Sequence, residues 1–401
     1  MKLLLRSLLA ALLVPVLHAE PEVAAETNSN QQAAGAELWE DFQKNYKEYS
    51  FSPLPADELD LKARKALLTA LGTRYRSWEP DKAPSLPELI EAVHKNDPAS
   101  STFDLAEKAL TALLPTIDRF GLYESSSEIA QLQEASRQSG GQIAMIVERD
   151  DNGRLLCFPE PEGPASEAGI NYGSELLEVD GVSVERKRLA AVKLAFIGPS
   201  PSVSVKIRQP QGKEETLSIK RTTQVFPSVS AKKGPTGLSV RIRKFDSGSA
   251  SRFKALLQEN APVTRLILDL RGNPGGLRDE AMLAASLFTP EKTVLGRLKD
   301  GQGERDVSDG NGVFCEPQSI QILQDRRSAS GAEFLAASLR ENLPGKVKIF
   351  GEPSYGKSHS TVKLPLYGGG IMTVSESLMM TASGKSWDKT GLQPDVVQQS
   401  K

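Results

Sequence analysis

Apolar residues recur at helical spacing through the first third of the chain, then the rhythm changes. Residues 37–49 place Leu38, Trp39, Phe42 and Tyr46 on one stripe. Residues 59–75, 86–94 and 104–114 repeat that spacing, the last ended by Pro115. From residue 140 the period shortens. Residues 143–147 and 155–158 read as strands, Asp180-Gly181 as a tight turn, and residues 203–208 and 215–220 as a closing hairpin around Gln211-Gly212. Residues 237–245 alternate strictly, with Leu238, Val240 and Ile242 on one face and Arg241 and Arg243 on the other. A helix over 251–259 leads to residues 266–270, a nearly continuous apolar run that carries one carboxylate, Asp269. Such a run predicts a fully buried strand of an α/β sheet. Gly272 to Gly276 then turn the chain, and residues 279–288 predict a helix with acidic residues in its first turn. Residues 293–312 read as a surface hairpin and loop, 319–323 and 347–350 as strands, and 371–380 as a strand pair. The expected fold is α/β (α+β) and multidomain: a helical N-terminal region over 37–133, an inserted β-domain over 140–222 and an α/β core over 223–401.

Composition narrows this picture. The chain has 401 residues, a quarter of them charged, and a formal net charge of −2 without any long basic run, which argues against a nucleic-acid partner. Residues 1–19 pair Lys2 and Arg6 with an apolar core broken by Pro15 and a Leu17-His18-Ala19 cleavage site. They predict an export signal, too short for a comfortable membrane span, with an uncleaved anchor as the competing reading. Removing the signal leaves no membrane span. Residues 20–36 are polar and aperiodic and predict a flexible linker. Cys157 and Cys315 stand in different predicted domains and read as separate thiols. Outside the signal only His94 and His359 remain, so no Cys/His cluster has metal spacing, and neither a dinucleotide nor a P-loop pattern is present. No metal and no cofactor is expected.

Residues 263–278, VTRLILDLRGNPGGLR, are the centre of the chain. Strand, glycine-rich turn and helix can be a plain connection, or the place where an α/β fold binds an oxyanion. The stretch resembles the central motif of the C-terminal processing peptidases, or tail-specific proteases, which reads close to LILDLRxNPGG. Three further blocks carry the resemblance: PASEAGI with GSELLEVDGV over 164–182, SASGAE with GEPSYGK over 328–357, and GLQPDV over 391–396. Residues 117–123 loosely resemble the family's connector. The resemblance implies a PDZ domain over 140–222 that captures an extended chain end as an added strand, with Gly140, Gly141, Gln142 and Ile143 as the cradle for its carboxylate. An ordinary turn that binds nothing is the alternative for that loop. The family's activity implies an exported, periplasmic or extracellular serine endopeptidase that cleaves proteins near their free C-terminal tails. The N-terminal helices lie largely outside the resemblance and offer a surface for self-association or an adaptor.

The chemistry expected at the core follows from residues 328–361. Small residues before an amphipathic helix can expose a nucleophile at a helix N-terminus, or Ser330 can simply cap that helix with Glu333 closing a capping box. The resemblance, aligned on Glu333, assigns the nucleophile to Ser330 rather than Ser328 and the general base to Lys357. Free lysine is a poor base at neutral pH, so Lys357 has to be buried, with Tyr355, Val362 and Leu364 as the expected apolar shell. Amides of Gly275 or Gly276 and of Gly331 are the expected oxyanion donors. The chain departs from the family in three places: Thr361 stands where the family has an orienting Gln, Gly331 and Ala332 follow the serine, and His359 lies two residues beyond the lysine. If residues 357–361 form a strand, His359 points the same way as Lys357 and could assist or replace the orienting residue; a plain surface histidine is the preferred alternative. A Ser-His-Asp site from Ser330, His359 and Asp269 is a weaker reading. The departures also admit a catalytically silent PDZ scaffold that only binds peptides.

Overall fold

The computed structural model describes residues 28–149, 153–160, 162–185, 187, 189–308 and 312–398; the signal-peptide reading of residues 1–19 lies outside them. Two compact units divide the chain: residues 124–226 form one, inserted between the two segments of the other, 1–123 and 227–401.

The larger unit is built on a six-stranded sheet. Its strands lie side by side in chain order: Val229–Gly234, Gly237–Ile242, Arg265–Asp269, Ser319–Gln324, Val347–Gly351 and Val396–Val397. The first pair is an antiparallel hairpin and every later pairing is parallel. Parallel neighbours need crossover connections. Ser249–Glu259, Arg278–Ser286 and Gly331–Asn342 supply helices for three of them. Strands laid in sequence order with right-handed crossovers put those helices on one face. The apolar run is explained by this: Leu266, Leu268 and Leu270 are all fully buried. The carboxyl ends of Arg265–Asp269, Ser319–Gln324 and Val347–Gly351 are in register, with Asp269 opposite Leu323 and Leu323 opposite Phe350. The loops that leave these three ends therefore emerge side by side at one sheet edge, where open α/β sheets place their ligands.

A second sheet in this unit pairs His359–Pro365 with Ile371–Met380, and the latter with Val294–Asp300 and its hairpin partner Gly303–Ser308. Residues 371–380 are one ten-residue strand rather than a pair. The helices Asn28–Tyr49, Ala56–Leu71, Leu86–Asn96 and Thr102–Ile117 share a core that takes in Leu366, Met372 and Val374. Ser101 and Asp104 cap the last of these reciprocally, and the helix continues through Pro115 to Ile117. The first helix begins at Asn28, inside the stretch expected to be a linker. Alanine and glutamine there favour a helix once Leu38 and Phe42 anchor it.

The inserted unit starts with the helix Ser126–Gln138 and forms a sheet in the order Met145–Arg149, Leu155–Pro159, Ser174–Val179, Ser202–Arg208, Glu214–Lys220. Val203, Val205 and Ile207 face its core and their neighbours do not, as the period-two pattern requires. Cys157 is buried in that core, which pushes its thiol up to about 12. Both cysteines are free.

Candidate functional site

The loop after Arg265–Asp269 is fixed first by its own motif. Asp269 accepts from Arg241 at 2.9 Å and from Arg271 at 2.9 and 2.8 Å. Burial pushes its carboxyl up, but the Arg271 hydrogen bonds and the two guanidinium charges outweigh it and hold the group below the usual range. This employment removes Asp269 from any Ser-His-Asp arrangement. Asn273 is completely buried; its side chain donates to the Ile242 carbonyl and accepts from the Gly275 N–H at 2.8 Å. Phe245 grips the turn from both sides, donating to the Gly275 carbonyl and accepting from the Leu277 N–H. Gly275 sits at φ 97°, and a Cβ there would stand 2.7 Å from the Ser330 Cβ. The glycine is what allows the turn and the serine to touch. Because the Gly275 amide is committed to Asn273, Gly276 and Gly331 are left as candidate donors, and no hydrogen bond within the protein engages either N–H among the described residues.

The second loop separates its two serines. Ser328 is buried; its hydroxyl donates to the Leu270 carbonyl and accepts from the Asp325 N–H. Its backbone carbonyl accepts from Tyr355. Ser330 is half-exposed at φ 54° and ψ −115°, a conformation that L-residues with side chains seldom adopt. Strain of this kind persists only where the surroundings enforce it, and it resembles the sharp turn on which other hydrolases expose a serine.

Glu333 joins the second loop to the third. The residue is 1% exposed. One carboxylate oxygen accepts from the Ser330 N–H at 2.8 Å and from the Lys357 N–H at 2.9 Å. The other accepts from the Gly356 N–H at 2.7 Å and from the Ser354 hydroxyl at 2.5 Å. Burial is the largest influence and raises its pKa, against the four donors. The expected capping contact from Glu333 is present, but it is one of four, and three of them belong to the lysine loop. Leu392 clamps Ser354 in turn, donating to its hydroxyl, while the Asp395 carboxylate accepts from the Ile349 N–H. The closing GLQPDV motif thus braces the loop that carries Lys357.

Lys357 is half-buried, with its Nζ 4.7 Å from the centre of the Phe120 ring. No carboxylate lies within 4.0 Å of Nζ among the described residues. Burial lowers its pKa most, Asp118 and Glu333 oppose that, and the Arg119 charge lowers it further. Asp118, Arg119 and Phe120 were not anticipated: they form the turn after Thr102–Ile117, and nothing in local spacing points from there to residue 357. Asp118 fixes this turn by accepting from the Ser375 N–H and hydroxyl and from the Phe120 N–H.

The expected shell and orienting residues are placed differently. Tyr355 is 44% exposed, and Val362 and Leu364 pack against the helical core. Thr361 lies in His359–Pro365 opposite Ser375, and no hydrogen bond joins it to Lys357. That strand starts at His359, after Lys357, so the alternation that would align the two side chains does not apply. His359 Nδ1 lies 3.3 Å from Asp388, between the rings of Phe51 and Phe120. No cluster of metal-ligating side chains occurs among the described residues.

In the inserted unit, three of the four cradle amides are occupied. Gly140 donates to the Gly198 carbonyl, Gly141 to the Ser139 hydroxyl, and Gln142 to the Thr222 carbonyl. The Ile143 N–H has no protein acceptor among the described residues, and neither does that of Ala144, which sits at φ 50°. They precede Met145–Arg149, an edge strand of the sheet.

The profile of peptidase family S41 matches residues 238–398, the span that holds the three loops. A probable CtpA-like serine protease of Staphylococcus haemolyticus is 26% identical over 297 residues, 73% of this chain and 59% of that protein. The carboxy-terminal processing protease CtpB of Bacillus subtilis is 26% identical over 339 residues, 82% of this chain and 69% of its own. The chain thus spans about three-fifths of the length of the staphylococcal relative. The solved photosystem II D1 C-terminal processing protease superposes with a TM-score of 0.67 at 22% identity, over 93% of this chain and 94% of that one, which shows a shared fold. Residues 238–398 thus match peptidase family S41, and over most of its length the chain is similar to C-terminal processing proteases.

Proposed function

We propose that the chain is an exported endopeptidase in which Ser330 attacks the scissile carbonyl and Lys357 is the general base. The observation that carries this reading is the single Glu333 oxygen shared by the backbone N–H groups of Ser330 and Lys357. It holds a strained serine and a partly desolvated amine on adjoining loops. Neutral Lys357 takes the Ser330 proton as the Oγ–carbon bond forms. The carbonyl oxygen becomes an oxyanion opposite the Gly276 and Gly331 amides. Lys357 then returns the proton to the departing amine, and water repeats the sequence on the acyl-enzyme. We read the inserted unit as the PDZ domain that the sequence resemblance implies. We read its edge strand Met145–Arg149 as the docking strand for an unstructured C-terminal tail, with the Ile143 and Ala144 amides receiving the terminal carboxylate.

The test is cleavage of an unstructured protein, read by product mass, with Ser330→Ala and Lys357→Ala. Both variants should lose cleavage while keeping the parent's circular dichroism. Undiminished cleavage by either ends the dyad assignment. A silent peptide-binding scaffold, suggested by Gly331, Ala332 and Thr361, predicts no labelling by a serine-directed acylating probe, whereas an active site predicts labelling at Ser330.

A further inference from the structure

Arg119 is exposed, yet it is held in place. Its guanidinium carbon lies 5.1 Å from the centre of the Phe120 ring and 5.5 Å from that of Tyr355. The two rings come from different loops, and the Phe120 ring is the one that Lys357 Nζ faces at 4.7 Å. One aromatic ring is therefore flanked by two basic groups, one partly desolvated and one open to solvent. The turn is rigid because Asp118 turns inward to accept from Ser375 and from the Phe120 N–H, at 2.6, 2.9 and 2.8 Å. Asp118 is thereby engaged elsewhere, and no carboxylate comes within 4.0 Å of Arg119 among the described residues. Glu333 is buried beneath the site with all its hydrogen bonds directed at backbone amides and Ser354. Both carboxylates keep their charge, but they are turned toward backbone amides and serine hydroxyls, so the guanidinium is the charged group here that is open to solvent and has no carboxylate within 4.0 Å among the described residues. Arginine stays charged at any working pH and offers a planar fork that matches a carboxylate.

We propose that Arg119, pinned between Phe120 and Tyr355, is a carboxylate-binding subsite that selects substrates with an anionic group next to the bond to be cut. The subsite rests on the reading of Ser330 and Lys357 as the dyad. Its ligand is an acidic side chain or, in a substrate whose terminal carboxylate is not held by the Ile143 and Ala144 amides, that carboxylate. The two sources share one chemistry and separate by experiment. Phe120 and Tyr355 orient the fork through its cation–π contacts with both rings. A lysine at the same substrate position meets like charge from Arg119.

The test uses fluorescent peptides that differ only by Glu, Gln or Lys at successive positions around the cleaved bond, each made as the C-terminal amide and as the free acid. Binding is measured by anisotropy to the full chain carrying Ser330→Ala, alone and combined with Arg119→Gln or Arg119→Glu. At one position Glu should bind about fivefold tighter than Lys, the scale of a well-placed exposed ion pair. The ratio should fall to one with R119Q and invert with R119E. If the terminal carboxylate is the ligand, the free-acid advantage is what R119Q removes. A ratio of one for both sources, or a preference that survives R119Q, overturns the subsite. Cleavage by the Ser330 protein is read separately. Arg119-dependent binding without cleavage would remove the dyad and leave the anion site, whereas cleavage indifferent to charge would do the reverse.

Discussion

Replacing Glu333 by Gln exchanges one oxygen for an amide nitrogen and tests the coupling of the two loops proposed to carry the dyad. The carboxylate faces four donors, three of them backbone amides that cannot reverse. Glutamine offers one acceptor oxygen and one donor nitrogen. With the nitrogen toward Ser330 and Lys357, two amides lose their acceptor. With the nitrogen toward Ser354 and Gly356, the serine hydroxyl can turn and accept, so only the Gly356 N–H is orphaned. The second orientation wins. A buried unsatisfied N–H costs about 1–3 kcal/mol, and the remaining bonds weaken when the charge goes. Burial already holds the Glu333 carboxyl above its usual range, so removing the charge recovers part of the loss. The net destabilisation should be about 2–3 kcal/mol, a melting-point drop of roughly 3–6 °C for a unit of this size. Activity should fall further, because a misplacement of about 1 Å between nucleophile and base costs on the order of a hundredfold. Glu333 also raises the pKa of Lys357, so its neutralisation should move the acid limb of the kcat/KM profile to lower pH, a shift that mere loosening does not produce. The assay is kcat/KM against pH well below the melting point, beside thermal unfolding. If Glu333→Gln keeps activity within about threefold of the parent and the limb stays put, Glu333 does not tie the loops together.

Other expectations follow from the same geometry. Burial depresses the Lys357 pKa, so protonation of the unfolded chain penalises folding. That penalty is absent above the unfolded value of about 10.4, grows as pH falls toward the folded value, and is complete below it. Lys357→Met should therefore abolish cleavage and yet melt higher than the parent at neutral pH, the gap closing near about pH 11; a lower melting point at neutral pH would refute the burial argument. For the unmodified chain, kcat/KM should climb with pH on an acid limb centred below about 10.4, and a profile flat across that range would exclude lysine as the base. Gly275→Ala puts a methyl at φ 97° against the Ser330 Cβ, so cleavage should drop on the order of a hundredfold at a stability cost of about 1–3 kcal/mol, measured by kinetics and denaturant unfolding. Asp118→Asn removes a second charge that raises Lys357, so the acid limb should again move to lower pH, and an upward shift would contradict the assigned electrostatics.

What could be read in advance divides along a physical line. The 266–270 strand and its glycine turn were legible because burial in a parallel sheet writes a continuous apolar run, and close approach writes glycine. The partner of Asp269 was not, because Arg241 meets it only through the register of neighbouring strands. Ser330 could be preferred over Ser328 by alignment, whereas the physical reason, a Ser328 hydroxyl already spent on Leu270 and Asp325, needed coordinates. Only local neighbours, Tyr355, Val362 and Leu364, were expected as part of the lysine's shell. The structure adds Asp118, Arg119 and Phe120 around it, far away in sequence and delivered by the packing of the N-terminal helices on the second sheet.

That arrangement also bears on how Lys357 could serve as the proposed base although two carboxylates lie near it. A carboxylate in direct contact would keep the ammonium charged, since an ion pair favours the charged form more strongly than partial burial opposes it. Here both carboxylates are occupied. Glu333 takes four donors and Asp118 takes three, all from backbone amides and serine hydroxyls, so their hydrogen-bonding capacity points away from Nζ. They fix the loops on either side of Lys357 and act on it only across a gap, while Phe120 occupies the contact position and offers a ring face in place of an anion. The same charges that build the candidate site are thus prevented from holding Lys357 protonated by direct contact, and burial remains the largest influence on its pKa.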